Sequence, residues 1–226
     1  MSGAVGVGPV GVGLVTGRGL PGTGYTPRVH FLFVCTANIC RSPMAAALFA
    51  DQIGHLPEPV EVTSAGIRAT GGLANRGVPD EVQEVMAPFR IDLGAHRSRA
   101  LTQPMLEQAD LIIGMGRRHI QEAVLIDPPS WPKSFMLKEL VRRGGLLGPR
   151  PPDQGLRSWI DAAHGDRTRR ELVRRSSADE VEDPYGRSLG DYRATAAELA
   201  ELTSQLVLLL WPDGAVPLDD AAPHQA

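Results

Sequence analysis

Apolar residues come along this chain in short runs separated by amphipathic stretches. Val29-His30-Phe31-Leu32-Phe33-Val34 is a compact apolar, β-branched and aromatic run, which predicts a buried strand. Met44-Ala45-Ala46-Ala47-Leu48-Phe49-Ala50 follows closely and predicts a helix, with Ser42 as its N-cap and Pro43 in its first position. In residues 59–66, Val60 and Val62 alternate with Glu61 and Thr63, which predicts a second strand ending at the small residues Ser64-Ala65-Gly66. Pro79-Asp80-Glu81 opens a helix with an apolar stripe of Val82, Val85 and Met86. Thr102 is expected to cap a short helix ending near Gln108. Residues 109–115 predict a third strand, leading into a helix that contains His119, and residues 134–137 a fourth. Ser188 and Asp191 resemble a capping box. The helix they open carries Tyr192, Ala196, Leu199, Thr203, Leu206 and Leu210 at helical spacing and stops at Pro212.

Strands that alternate with helices specify an α/β fold, a three-layer sandwich around a central four-stranded parallel sheet. Ligands of such sheets bind at the carboxyl ends of the strands. One domain is expected over residues 29–211. Residues 1–28 read as a disordered Gly-rich tail and residues 212–226 as a second, polar one. Residues 138–180 read as a solvated insertion within the domain, or else as a basic platform for an acidic substrate. There Arg142-Arg143-Gly144-Gly145 and Pro149-Arg150-Pro151-Pro152 break the pattern, and Leu156, Trp159, Ile160 and Ala163 suggest a helix between them and Arg167. Gly6-Val7-Gly8-Pro9-Val10-Gly11 matches the dinucleotide pattern G-x-G-x-x-G. It lacks the flanking strand, helix and downstream acid, so it is read as composition.

The chain has 226 residues and a net charge of −3, which argues against a general nucleic-acid binder. Its opening residues lack the basic region and continuous apolar core of a secretory signal. No apolar run approaches the ~20 residues of a membrane span. The six histidines are scattered without metal-ligand spacing. Neither a metal nor another cofactor is expected. Only two cysteines occur, Cys35 and Cys40, which excludes a disulfide scaffold and points to a reducing, cytoplasmic compartment.

Both cysteines lie in Val34-Cys35-Thr36-Ala37-Asn38-Ile39-Cys40-Arg41-Ser42-Pro43, between the first strand and its helix. A loop that ends at a helix N-terminus turns several backbone N–H groups into one concavity, reinforced by the helix dipole. Such a nest takes a tetrahedral oxyanion, and Arg41 can grip two of its oxygens with a planar fork. A cysteine at the floor of the nest sits under the bound phosphorus as an in-line nucleophile. This stretch resembles the phosphate-binding loop of the low-molecular-weight protein tyrosine phosphatases, a loop shared by arsenate reductases of the same fold.

The resemblance implies a phosphatase acting on aryl phosphate monoesters, protein phosphotyrosine above all, through a phosphocysteine. It places Cys35 as nucleophile and the loop residues Thr36, Ala37, Asn38, Ile39, Cys40, Arg41 and Ser42 around the phosphoryl group. Ser42 would donate to the thiolate. In Val181-Glu182-Asp183-Pro184-Tyr185-Gly186, the resemblance makes Asp183 the general acid and Tyr185 one wall of the substrate slot. Asp127-Pro128 is read as a helix end. Spacing alone leaves His96 a solvated histidine in a basic turn; the resemblance implies that it braces Asn38. Two departures are visible. Ile67-Arg68-Ala69-Thr70-Gly71-Gly72 has no aromatic where the family often has one, and Gly186 stands where many members carry a second aromatic.

Alternatives remain open. A small-thiol-coupled arsenate reductase is one, since a disulfide relay would need cysteines after Cys40. A protein-arginine phosphatase is another, although such members tend to carry threonine where Ile39 stands. A non-catalytic phosphate-binding module is the third, and the trio Cys35, Arg41 and Asp183 speaks against it. Cys40 either packs beneath the loop or traps oxidised Cys35 as a disulfide, which would make the site redox-sensitive.

Overall fold

The computed structural model describes residues 14–16, 28–57, 59–173 and 178–213. The strands are β1 (Leu14–Thr16), β2 (Val29–Cys35), β3 (Val60–Gly66), β4 (Leu111–Gly114) and β5 (Ser134–Met136). The α-helices are α1 (Arg41–Ile53), α2 (Asp80–Met86), α3 (Gln103–Gln108), α4 (Arg117–Ile126), α5 (Leu137–Leu147), α6 (Leu156–His164) and α7 (Leu189–Leu210). The sheet order is β1-β3-β2-β4-β5. The four expected strands are all parallel, with Phe31 opposite Val62 on one side and Leu111 on the other. The chain leaves β2 toward β3 and returns across it to β4, so the strand order reverses beside the carboxyl end of β2. That is where an open α/β sheet leaves a crevice.

Alternation along β2 divides the core. Phe31, Phe33 and Cys35 face a large cluster with residues of α1, α2, α5, α6 and α7. Leu32 and Val34 face a smaller cluster with Leu106 of α3 and Ala123 of α4. Phe31, Leu32, Phe33 and Val34 are completely buried, so the strand carries no polar face and reads as an unbroken apolar run. Phe49 of α1 lies 4.9 Å from Phe31 and 5.5 Å from Phe33, which anchors the helix that follows the loop.

Several expectations are revised. Within the stretch expected to be a tail, Leu14–Thr16 pairs antiparallel with β3 and makes a fifth strand. The remainder of that tail, with the G-x-G-x-x-G match, lies outside the described residues, as does residue 214 onward. The α1 helix starts one residue before the expected cap. Cys40 occupies the N-cap position without a side-chain cap bond, and Ser42 and Pro43 sit inside the first turn.

Among the described residues of 138–180, the segment is anchored in the core and is not wholly solvated. Arg142-Arg143-Gly144-Gly145 continues α5, and the Trp159 ring packs 3.0 Å from where a Gly144 side chain would begin. Trp159 and Ile160 are fully buried in the main core. Arg167 is buried too and pairs with Glu139 at 2.8 Å. Its guanidinium lies 4.0 Å from the centroids of Trp131 and Phe135 and donates to the Ser134 carbonyl at 2.8 Å. Burial pulls its pKa down to about 10, so it stays charged at neutral pH. An ion pair with aromatic faces above and below fastens this segment to β5.

Candidate active site

The loop from Cys35 to Arg41 leaves the carboxyl end of β2 and enters α1. Its shape is fixed at Asn38, whose φ of +56° lies in the left-handed region that asparagine tolerates. Asn38 is completely buried and its polar groups are all engaged. Its amide Nδ2 donates to Ser42 Oγ at 3.0 Å and to Ser64 Oγ at 2.8 Å. Its Oδ1 accepts the Arg99 amide at 3.0 Å. His96 Nε2 lies 2.7 Å from the Asn38 carbonyl. His96 is buried, not solvated, and meets the backbone of Asn38 while Ser42, Ser64 and Arg99 hold the side chain.

The second support is Gly66, which pairs in register with Cys35. A Cβ there would stand 2.8 Å from the Thr36 carbonyl oxygen and 2.9 Å from both Ala37 C and Asn38 N. The loop therefore rests directly on backbone at the end of β3. Ile67 and Arg68 continue the contact, donating their amides to the Cys35 and Thr36 carbonyls at 3.0 and 2.8 Å.

Two donors converge on the Cys35 sulfur. Ser42 Oγ is at 2.9 Å and the Asn38 amide at 3.2 Å. Ser42 is buried and does not cap α1; its hydroxyl is turned to the sulfur instead. Cys40 is equally buried. Burial, with Cys35 and Asp183 nearby, pushes its thiol up to about 12 against the opposing hydrogen bond of Tyr192. Cys40 is therefore a protonated thiol at neutral pH.

Arg41 projects across the mouth of the loop. Nη1 donates to the Val181 carbonyl at 3.2 Å, Nη2 to Thr36 Oγ1 at 3.4 Å, and Nη2 is also ion-paired with Asp183 Oδ2. The segment bearing Asp183 is hooked to the sheet, since the Val181 amide donates to the Met115 carbonyl at 2.9 Å. Asp183 is partly exposed, and Tyr185 behind it is 54% exposed. Asp127 is buried at the carboxyl end of α4 and has no part in these contacts. Ile39 is buried in the main core beneath the loop. Sequence reasoning did not find Ser64, Gly66, Arg99 or Val181 as supports of the loop. The first two carried a signal, a small polar residue and a glycine closing a strand.

A parallel α/β sheet with a Cys-x5-Arg loop at the carboxyl end of its central strand, and an Asp-Pro segment facing the arginine, defines the class of cysteine-dependent phosphatases. Residues 30–145 match the family model described as low molecular weight phosphotyrosine protein phosphatase. The protein-arginine-phosphatase of Bacillus subtilis (strain 168) is 32% identical over 185 residues, covering 82% of this chain and 99% of that protein. The probable low molecular weight protein-tyrosine-phosphatase EpsP of Ralstonia solanacearum is 38% identical over 109 residues, covering 48% of this chain and 70% of its own. Among solved structures, a low molecular weight protein tyrosine phosphatase from T. tengcongensis matches with a TM-score of 0.59 at 30% identity, over 79% of this chain and 97% of its own. The YwlE arginine phosphatase from Geobacillus stearothermophilus matches with a TM-score of 0.57 at 29% identity, over 79% and 90%. This chain belongs to the low molecular weight phosphotyrosine protein phosphatase family.

Proposed function

We propose that this protein hydrolyses aryl phosphate monoesters, protein phosphotyrosine above all, with Cys35 as nucleophile and Asp183 as general acid. The observation that carries the reading is the convergence of Ser42 Oγ and the Asn38 amide on the Cys35 sulfur, in a loop whose arginine is paired with Asp183. The amides of residues 36–42 and the Arg41 fork hold the three non-bridging oxygens and stabilise their charge as the phosphoryl group transfers. The dianion replaces the Asp183 carboxylate as the partner of Arg41. Released from Arg41, Asp183 takes up a proton from solvent; the Cys35 thiolate attacks phosphorus in line, and the P–O bond to the aryl group breaks as Asp183 gives that proton to the leaving oxygen. Asp183 then takes a proton from water, which attacks the phosphocysteine and releases phosphate. The returning thiolate is received by Ser42. Tyr185 lines one side of the slot, and Gly186, with φ of +76°, leaves the other side open. No helix among the described residues is long and apolar enough to cross a membrane. The two free thiols support a reducing, cytoplasmic setting.

A second reading, phosphoarginine hydrolysis, is favoured by the 32% identity to a protein-arginine-phosphatase over nearly all of that protein. Ile39, standing where such members tend to carry threonine, supports the aryl ester instead. Parallel assays with an aryl phosphate, a phosphoarginine peptide, and arsenate with a small thiol separate the readings. Turnover of the aryl phosphate and its loss in Cys35→Ser, with phosphate binding kept, are expected. Preference for phosphoarginine would move the assignment to the second reading, and near wild-type turnover by Cys35→Ser would overturn the mechanism.

A further inference from the structure

Beside the acid segment lies a cleft of about 290 Å³ that the mechanism above does not use. Asp183 belongs to one wall, together with Glu182, Pro184 and Arg187. The other wall is α7, which contributes Asp191, Ala194, Thr195 and Glu198. Steps of three and four residues return side chains to one helix face, so Asp191, Thr195 and Glu198 stand in a row. Ala194, the smallest side chain of that wall, leaves space beside the row.

The row is a set of hydrogen-bond acceptors. The Asp191 carboxylate accepts the Ser188 amide at 3.0 Å and the Ser188 hydroxyl at 2.6 Å, which hold its carboxyl below the usual carboxylate range. Those donors are neutral, and Asp191 forms no ion pair among the described residues. Thr195 is 4% exposed and its hydroxyl has no hydrogen-bond partner among the described residues, yet it is not sealed from solvent. Thr203, two turns further along α7, turns its hydroxyl back to the Leu199 carbonyl at 2.8 Å, the usual resting place for a helical threonine. Thr195 makes no such bond, which leaves its hydroxyl for the cleft that it lines.

The lining holds four carboxylates, those of Glu182, Asp183, Asp191 and Glu198, against the single guanidinium of Arg187. Arg187 is paired with Glu182 at 3.2 Å, Glu198 with Lys138 at 2.6 Å, and Asp183 with Arg41. The Arg187–Glu182 pair is more than half exposed on both sides, and such pairs exchange partners at little cost. A ligand that suits this lining brings positive charge and several donors, as an alkylammonium or guanidinium does. The described residues include no group of three or more His, Cys, Asp or Glu placed to hold a metal ion, so the fitting cation is an organic one. Asp183 is shared between the cleft and the phosphate loop, so a ligand in the cleft lies next to the reacting group.

We infer that this cleft receives the basic side chain, lysine or arginine, of a residue that flanks the phosphorylated one in a peptide substrate, with Asp191, Thr195 and Glu198 as its acceptors. This deepens the phosphatase reading and rests on it for the presence of a phosphorylated residue beside the cleft.

Phosphotyrosine peptides carrying lysine, norleucine or glutamate at each flanking position in turn are the probe, with a small aryl phosphate as reference. With the wild-type full chain, lysine at a favoured position should raise kcat/KM about 3- to 10-fold over norleucine, between the value of an exposed ion pair and that of a charged hydrogen bond, and glutamate should lower it. Thr195→Val and Glu198→Gln should each cut the lysine preference to within about two-fold, while turnover of the small aryl phosphate stays at the wild-type rate. Arg187→Gln removes the competing cation and frees Glu182, so it should enlarge the preference, a change that damage to the fold would not produce. Circular dichroism and thermal melting establish that each variant is folded, and Glu198→Gln and Arg187→Gln, both at partly exposed positions, decide the matter if Thr195→Val is not. No position with a lysine preference, or a preference left unchanged by Glu198→Gln and Arg187→Gln, would overturn the inference. If wild type turns over no aryl ester, the function reading falls, and calorimetric binding of the same peptides to Cys35→Ser still decides the cleft by the same ratios. No binding of any of these peptides overturns both.

Discussion

The contact between Gly66 and the phosphate loop makes a quantitative expectation possible. In Gly66→Ala the added carbon would lie 2.8 Å from the Thr36 carbonyl oxygen, 2.9 Å from Ala37 C and 2.9 Å from Asn38 N. All three atoms are backbone, so no side chain can swing aside. Ordinary contacts of this kind begin near ~3.5 Å, and relief requires the loop and the end of β3 to part by about 0.5–1 Å. The strand end is itself held, with the Gly66 amide donating to the Arg99 carbonyl and the Gly66 carbonyl accepting the Leu101 amide, both at 2.9 Å. The loop therefore gives way, and with it the Cys35 sulfur and the amides around the phosphoryl group. A displacement of that size costs roughly 100-fold in a positioned reaction, while overpacking costs about 1–3 kcal/mol of stability. Urea unfolding measures the second effect, and kcat on an aryl phosphate with the inhibition constant of inorganic phosphate measures the first. A variant with kcat within about two-fold of wild type and undiminished phosphate inhibition would refute the account of the loop as seated on bare backbone.

Other outcomes are expected on the same grounds. Asp183→Asn should slow esters with poor leaving groups far more than activated ones, because only the former need a proton, and Asp127→Asn should do little; a uniform loss, or a larger one at Asp127, counts against Asp183. Trp159→Ala should lower stability by about 3–5 kcal/mol in urea unfolding, as for a fully buried aromatic, and a loss under about 1 kcal/mol would return residues 138–180 to the status of an appendage. His119 is held down at about 3, so between pH 6.5 and that value the unfolded chain binds a proton there which the folded chain does not. Its contribution to stability is thus present above pH 6.5 and lost on acidification, at about 1.4 kcal/mol per pH unit. Folded His119→Gln should lack that part of the slope, and equal slopes for the two proteins at pH 7 and 5 would exclude it. Peroxide inactivation should be reversed by dithiol through a Cys35–Cys40 disulfide and become irreversible in Cys40→Ser; mass spectra showing unlinked, over-oxidised Cys35 in wild type would exclude the protective bond.

The sheet was legible because β2 and β4 are short, mostly apolar runs, β3 opens on apolar–polar alternation, and the last helix carries a long regular stripe. Val29–Cys35 and Leu189–Leu210 have nearly the predicted limits for that reason. The loop was legible because its spacing places a thiol, an arginine and a helix start within seven residues, 35–41. The segment after α5 was not. Its charged residues read as solvated, whereas Arg167 is neutralised by Glu139 and covered by Trp131, pairings between positions 28 and 36 residues apart that no local pattern announces. Ser42 was misread for a related reason. Serine before proline is a common cap, and only the fold brings the Cys35 sulfur within 2.9 Å of its hydroxyl. The short β1 strand carries little signal in three residues flanked by glycine, and its pairing is decided by β3.

Two of the partners of Arg41 lie far along the chain. Its carbonyl partner is 140 residues away and its carboxylate partner 142. During synthesis the Cys35 loop leaves the ribosome early, while the Asp183 segment follows only after most of the chain has been made. The sequence separation is bridged only once Val181 has hooked onto the end of β4 and α7 has docked beside α1. On the proposed mechanism, the oxyanion nest and the acid that serves it therefore come from opposite ends of the chain. On that mechanism, cleavage is a property of the finished protein alone, because its two chemical groups meet only when both ends of the chain are in place.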